Sequence, residues 1–188
     1  MNKIRHRQVA GQSPRAVAPL RAMTSFEPSL ETTPDLRRAF GRYGTGVTVV
    51  TALTDQGPLG MTANSFTSVS LDPPLVLWSP ATGSKRHDAF VQATASCIHV
   101  LCDDQLDLAQ HFAAQGHDFD GFDWHAGPNG APTFEGCLAT FHCTTYAVYP
   151  AGDHSLVVGR VTHASEHAGE ASGLIFKQGR FGRFTPDT

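Results

Sequence analysis

Short β-branched and aromatic runs, separated by turn residues at intervals of roughly a dozen residues, dominate the chain and confine it to barrel or sandwich architectures. Val47-Thr48-Val49-Val50-Thr51-Ala52-Leu53 is the clearest run, of a composition that suits a pleated surface. Asp55-Gln56-Gly57-Pro58 is turn chemistry. A second strand is expected from about Leu59 to Leu71, broken in its middle by small polar residues, and Asp72-Pro73-Pro74 makes a stiff corner before Leu75-Val76-Leu77-Trp78. Further strands are predicted over 96–101, 137–149, 154–165 and 174–184.

Helical patterns are brief. One is expected over 34–43, capped by Thr33 with Pro34 in its first turn and with Leu36, Phe40 and Tyr43 on one face. Others are expected over 84–93 and 105–114, the latter capped by Asp103 or Asp104. Residues 115–136, rich in Gly, Asp and His, read as one long loop. The balance favours a closed antiparallel barrel with helical insertions over a doubly wound sheet. Gly41-Arg42-Tyr43-Gly44-Thr45-Gly46 precedes a strand and does not follow one, so the dinucleotide fingerprint fails.

The 188 residues suggest one domain with a tail. Residues 1–26 hold five basic residues and no acid, leaving nine basic against 17 acidic residues in the remainder. We expect 1–30 to be a disordered basic tail, with a start at Met23 as part of that reading, and 31–188 to be the folded domain. The segment lacks the apolar core of a secretory signal. A net charge of −3 gives no general affinity for nucleic acid, and no run approaches the ~18 apolar residues of a membrane span. Cys97, Cys102, Cys137 and Cys143 form no Cys-x-x-Cys pair. They are expected to be reduced, in a cytoplasmic protein.

Three segments could carry chemistry. In Gly60-Met61-Thr62-Ala63-Asn64-Ser65-Phe66-Thr67-Ser68, short polar side chains and main chain could bond the edge of a flat heterocycle; an ordinary Thr/Ser-rich strand reads the same way. Ser79-Pro80-Ala81-Thr82-Gly83-Ser84-Lys85-Arg86 could hold a phosphate, or could be a solvated basic start to a helix. Gly152-Asp153-His154 could present an imidazole oriented by a carboxylate, or be a surface turn.

Taken in order, GMTANSFTSVSLDPPLVL, the following S-x-x-x-x-SK and YPAGDHSLVVGRV resemble the short-chain flavin reductases of two-component monooxygenase systems. The likeness leans toward reductases of actinobacterial natural-product pathways. It extends to Leu36–Phe40 with Gly44–Thr51, to Asp107-Leu108-Ala109 with Phe112, to Phe122-Asp123-Trp124 and to Gly179-Arg180-Phe181, covering about residues 34–184.

The resemblance implies a mainly β fold, the FMN-binding split barrel, that forms a homodimer. It implies hydride transfer from NADH or NADPH to FMN or FAD, and delivery of reduced flavin to a separate monooxygenase. Thr62, Ala63, Asn64 and Ser65 would line the isoalloxazine. Ser79, Pro80, Ser84 and Lys85 would hold the ribityl chain and phosphate, and Phe112 would pack near the flavin. His154, beside Asp153, would sit where the nicotinamide docks, with the strand from Phe176 to Phe181 in reach. Three positions depart from the pattern: His99 stands where relatives often carry Asn or Ser, Asp118 where many carry Lys, and Trp78 is bulky enough to narrow the pocket.

Two other readings compete: a protein that retains its flavin as carrier, sensor or oxidase, and a metal site built from His111, His117, His125 and His142. The histidine spacings match neither an i, i+4 helical pair nor the Cys/His fingers.

Overall fold

The computed structural model describes residues 23–185. The basic residues 1–22 lie outside that range, and 23–30 are exposed and join no helix or strand. Helix α1 covers Thr33–Phe40. Strands β1 (Thr45–Gly46), β2 (Thr48–Thr54), β3 (Gly57–Ala63), β4 (Thr67–Leu71) and β5 (Pro74–Trp78) follow. Helix α2 (His87–Gln92), β6 (Ala95–Val100) and α3 (Leu106–Ala114) occupy the centre. The chain ends with β7 (Trp124–Ala126), β8 (Pro132–Phe134), β9 (Ala139–Ala151), β10 (His154–Glu166), β11 (Leu174–Lys177) and β12 (Arg180–Arg183).

Seven strands form one antiparallel sheet in the order β3-β2-β6-β9-β10-β5-β4. Its terminal strands β3 and β4 are consecutive in sequence yet do not pair with each other. The expected closed barrel is therefore open along one seam, as the split-barrel expectation requires. The segment expected as a single broken strand, 59–71, is these two edges. The β9–β10 hairpin, 13 residues a side, supplies the longest ladder. Small sheets β1-β11-β12 and β7-β8 flank the main one.

Strand β2 is buried on both faces over Thr48–Ala52, which is why its sequence is a nearly unbroken β-branched run. Val49 faces a core with Leu108, Phe112, Phe119 and Phe134, while Val50 and Ala52 face a second core with Leu59, Trp78, Phe90 and Ile98. In the first core the Phe112 ring lies 4.8 Å from Phe119 and 5.3 Å from Phe134, centroid to centroid, distances at which aromatic pairs add to burial.

Phe112 also fixes the identity of residue 60. A Cβ built on Gly60 would fall 2.5 Å from Phe112 Cε1 and nearer still to Cδ1. Gly60→Ala is expected to cost about 1–3 kcal/mol by overpacking. A fall in the urea midpoint with unchanged m-value checks it.

Several local expectations are corrected. Thr33 does not cap α1; the cap position is Thr32, whose hydroxyl bonds Glu27 O at 2.9 Å and whose side chain makes no cap bond. Neither Asp103 nor Asp104 caps α3, which starts after Gln105. Helix α2 has only six residues, because Ser84–Arg86 are spent in turns ahead of it. Residues 115–136 contain the β7–β8 hairpin, and the last expected strand is the β11–β12 hairpin. Of the α1 face, Phe40 and Tyr43 are exposed, at 69% and 78%. All four cysteines are free and buried.

Candidate functional site

The open seam defines the site. At Gly60 the main-chain N–H donates to Gly116 O at 2.8 Å and the carbonyl accepts from Arg86 Nη1 at 3.0 Å, so this residue's polar groups point away from β2. Strand geometry repeats with period two. The N–H and C=O of Thr62 therefore point along the same edge, where no main-chain bond from the described residues engages them. The Thr62 side chain is turned elsewhere: its hydroxyl donates to Ala109 O on α3 at 2.6 Å. Ala63 is half-buried, and its carbonyl accepts from Thr48 Oγ1 at 2.8 Å. Asn64 is exposed at the end of the edge.

Ser65 is a clasp. Its Oγ accepts from Ser79 N–H at 2.9 Å, holding the β3–β4 connector against the end of β5. From there the chain turns through Pro80–Arg86. Pro80 is buried, Ser84 and Arg86 are half-buried, and Lys85 is exposed. The Ser84 hydroxyl accepts from Arg86 N–H at 3.2 Å. Lys85 has no ion-pair partner among the described residues.

A second clasp brings in the β9–β10 turn. Thr82 N–H and Oγ1 both donate to Asp153 O, at 2.8 and 3.0 Å, and Ser155 N–H donates to Pro80 O at 3.1 Å. Gly152 takes a left-handed φ of +64°, a conformation that favours glycine. His154 Nδ1–H donates to Asp153 Oδ1 at 2.8 Å, and the imidazole is 42% exposed. The bond to His154, and then its charge, holds the Asp153 carboxyl below its ordinary range; the charge of Arg37 adds to this. Asp153 thus fixes the ring and leaves Nε2 outward.

Arg37, Phe40, Tyr43, Asn64 and Phe176 line a groove of about 360 Å³ beyond the Asn64 end of the edge. Phe176 of β11 brings the closing strands to this groove, and its ring packs on Phe181 at 5.1 Å.

Three expectations fail on geometry. Phe112 is completely buried; it supports β3 from behind and presents no surface to a ligand. Trp78 is 2% exposed and packs edge-on to Phe90 at 5.0 Å, so it fills the core and does not narrow a pocket. Arg86 is not a free anion-binding cation. Its Nη1 donates to Gly60 O, Phe112 O and Gln115 O at 3.0, 2.7 and 3.1 Å, and Nη2 donates to Ala113 O at 3.0 Å. Burial pulls its pKa down from the ordinary value.

His87 went unnoticed in the sequence. Its ring is 12% exposed, with Nδ1 2.8 Å from Asp88 Oδ1 and Nε2 2.9 Å from Ser155 Oγ. It ties α2 to the strand that carries His154. The partner Ser155 is 68 positions away, and no local signal announces such a pair.

The histidines weighed as an alternative metal site are dispersed among structural bonds: His111 Nε2 to Asp118 O at 2.7 Å, His117 Nδ1 to Pro58 O at 3.1 Å, His142 Nδ1 to Asn129 Oδ1 at 3.1 Å. Among the described residues no three His, Cys, Asp or Glu side chains are grouped to hold a metal.

The arrangement can accept a flat ring against main chain, a phosphate at one end and a second ring under an oriented imidazole. Comparison with known proteins gives it a context. An FMN reductase (NADH), SmoA, of Agrobacterium fabrum is 51% identical over 160 residues, covering 85% of this chain and 91% of that protein. The reductase component of a flavin-dependent trigonelline monooxygenase of Acinetobacter baylyi is 44% identical over 154 residues, covering 81% of this chain but 48% of that longer protein. In three dimensions, the Streptomyces globisporus NADH:FAD oxidoreductase SgcE6 superposes with a TM-score of 0.81 at 38% identity, covering 88% of this chain and 100% of that one. A further structure of it holds NAD and FAD fragments. Identity is higher to the Agrobacterium protein than to the Streptomyces one, so the expected leaning toward actinobacterial reductases does not hold. Residues 40–185 match the family of flavin reductase-like domains, and the chain belongs to that family.

Proposed function

We propose that the chain reduces FMN or FAD with NADH or NADPH in the seam between β3 and β4, and passes the reduced flavin to a separate monooxygenase. Its family and its relatives named as NADH-dependent reductases support the reaction class. Relatives named as reductase components of monooxygenases support a separate acceptor enzyme.

The observation that carries the reading is the main-chain edge at Thr62, left open between a clasped Ser65 and a stoppered Gly60. A bound flavin would supply the hydride acceptor and the nicotinamide cofactor the hydride. The chain's own work is placement. Thr62 N–H and C=O bond the polar edge of the ring. Asn64 closes one end, and Lys85 offers a charge-assisted contact to phosphate at the other. Asp153 holds His154 so that Nε2 can accept a hydrogen bond from a carboxamide or ribose hydroxyl of the nicotinamide cofactor. Orientation of this kind is worth several kcal/mol of barrier. Ser79, Pro80 and Ser84 shape the turn along which the ribityl chain would run.

Oxidation of NADH with FMN, FAD and riboflavin in parallel tests the reading. Turnover that depends on added flavin is expected. No acceleration with any flavin would sink it, and a tightly retained flavin without turnover would favour a carrier or sensor. His154→Ala is expected to raise the KM for NADH about tenfold and to lower kcat, the loss of about one hydrogen bond, with flavin affinity unchanged. Unaltered kinetics would remove His154 from the site.

We also propose a homodimer. Val69, Leu71, Tyr146, Val148 and Tyr149 are large apolar side chains exposed on the strands β4 and β9 of the main sheet, and association surfaces are built from exposed apolar groups of this kind. Four buried free thiols suit a reducing, cytoplasmic setting. Among the described residues no helix is long and apolar enough to cross a membrane.

A further inference from the structure

We infer that His87 is a positioning residue for His154: it grips Ser155, the next residue of β10, from beneath the sheet and so sets where the His154 ring stands. This rests on the nicotinamide role proposed above for His154 and names what keeps that ring in place.

Adjacent residues of a strand point to opposite faces. His154 stands on the outer face. Ser155 is 8% exposed and shares the inner face with Val157, a member of the second core. Helix α2 packs into the same core through Phe90, and His87 stands three positions earlier, on the same side of the helix. His87 Nδ1–H donates to Asp88 Oδ1 at 2.8 Å. That leaves Nε2 of the neutral ring to accept from the Ser155 hydroxyl at 2.9 Å. Carboxylate, imidazole and hydroxyl follow one another as in a hydrolytic triad. With Ser155 buried beneath the sheet, no acyl group reaches its hydroxyl, and the chain of bonds serves placement.

The other ties on this turn act in a different direction. Thr82 N–H and Oγ1 reach Asp153 O, Ser155 N–H reaches Pro80 O, and Ala81 bridges His154. Ala151 and Pro150 of β9 flank the opposite side. Main-chain bonds between strands lie in the plane of the sheet, and they resist a roll of the strand about its own axis only weakly. A roll moves the two faces in opposite senses, and a ring at the end of an outer side chain moves furthest. His87 pulls across the plane and stops the roll. Asp153 sets the rotation of the His154 ring, and His87 sets the main chain from which it extends. A misplacement of about 1 Å in a positioning group is enough to slow a reaction severely.

Steady-state NADH oxidation with saturating FMN, together with flavin affinity by fluorescence quenching, tests the inference. The variants are His87→Ala and Ser155→Ala, each made alone and in a His154→Ala background. Alone, each is expected to raise the KM for NADH about fivefold, less than the whole of one hydrogen bond, with flavin affinity unchanged. In the His154→Ala background each is expected to add nothing, because the ring they position is gone. Ser155→Ala deletes a single oxygen and serves should His87→Ala misfold. A parental KM in the alanine variants overturns the inference, as does an equal rise in KM with and without His154, the mark of a merely structural role. A parallel loss of flavin affinity would place the work of His87 in the turn that carries Lys85 and overturn it equally. Parental kinetics in His154→Ala would sink the role of His154, and that of His87 with it. A parent protein that oxidises no NADH with any flavin would sink the reduction itself.

Discussion

Acidification from pH 6.5 to 4 is expected to remove about 3 kcal/mol of stability through one side chain, His99. The ring is wholly buried between β2 and β8. Its Nδ1–H donates to Val49 O at 2.9 Å, and its Nε2 accepts from Phe134 N–H at 3.1 Å. Both ring atoms are satisfied only in the neutral tautomer. Burial is the main cause that pushes its pKa down to about 4; the carbonyl of Val49 opposes this, and the charges of His142 and His125 add to it. An unfolded histidine titrates near 6.5. Between the two values the unfolded chain binds the extra proton, so stability is fully present above pH 6.5, falls with falling pH, and levels off for this group below about 4. Each pKa unit corresponds to about 1.4 kcal/mol. Urea midpoints across that range should show the slope. His99→Gln should be less stable at pH 7 and lose most of the slope. A parent protein equally stable at pH 6.5 and 4.5 would contradict the account.

Arg86→Leu is expected to cost about 3 kcal/mol and to lower Tm by about 6–12 °C, since 1 kcal/mol is worth about 2–4 °C in a chain of this size. One guanidinium ties Gly60 on β3 to the C-terminal carbonyls of α3 through four carbonyl acceptors, three of which share the two protons of Nη1. Bonds from a charged donor are worth about 1.5–3 kcal/mol each when buried, and partial exposure here lets water recover a share. Flavin affinity should fall with stability, because the same group stoppers the edge beside Thr62. Arg86→Lys should recover only part of either, as an ammonium lacks the fork. Full recovery by lysine would show that charge alone matters at this position.

Much of this was legible in the sequence. The β-branched run of β2, the polar interruption between β3 and β4, and the Gly152-Asp153-His154 turn appear where local pattern placed them. Such features are set by neighbours in the chain. What failed depends on distant partners. Lys85 and Arg86 are adjacent and alike in charge, yet α3 claims only Arg86, from about 27 positions away. Phe112 carries the right residue type for a site, and only the approach of Gly60 shows that it faces inward. The β7–β8 hairpin was obscured by its surroundings. Its strands have three residues each, and the Asn129-Gly130 turn between them, a recognised hairpin signal, sits among glycines and aspartates that read as loop. His87 illustrates the limit: a near-buried imidazole whose serine lies on another strand leaves no periodic trace.

The seam that admits a ligand also has a bearing on solubility. An unsatisfied sheet border can template a strand from another molecule and seed aggregation. Here Gly116 and Arg86 plug the border at Gly60, and the Ser65 clasp ends it after Asn64. What stays vacant is a gap of four residues, 61–64, too short to zip up a foreign strand and wide enough for one heterocycle.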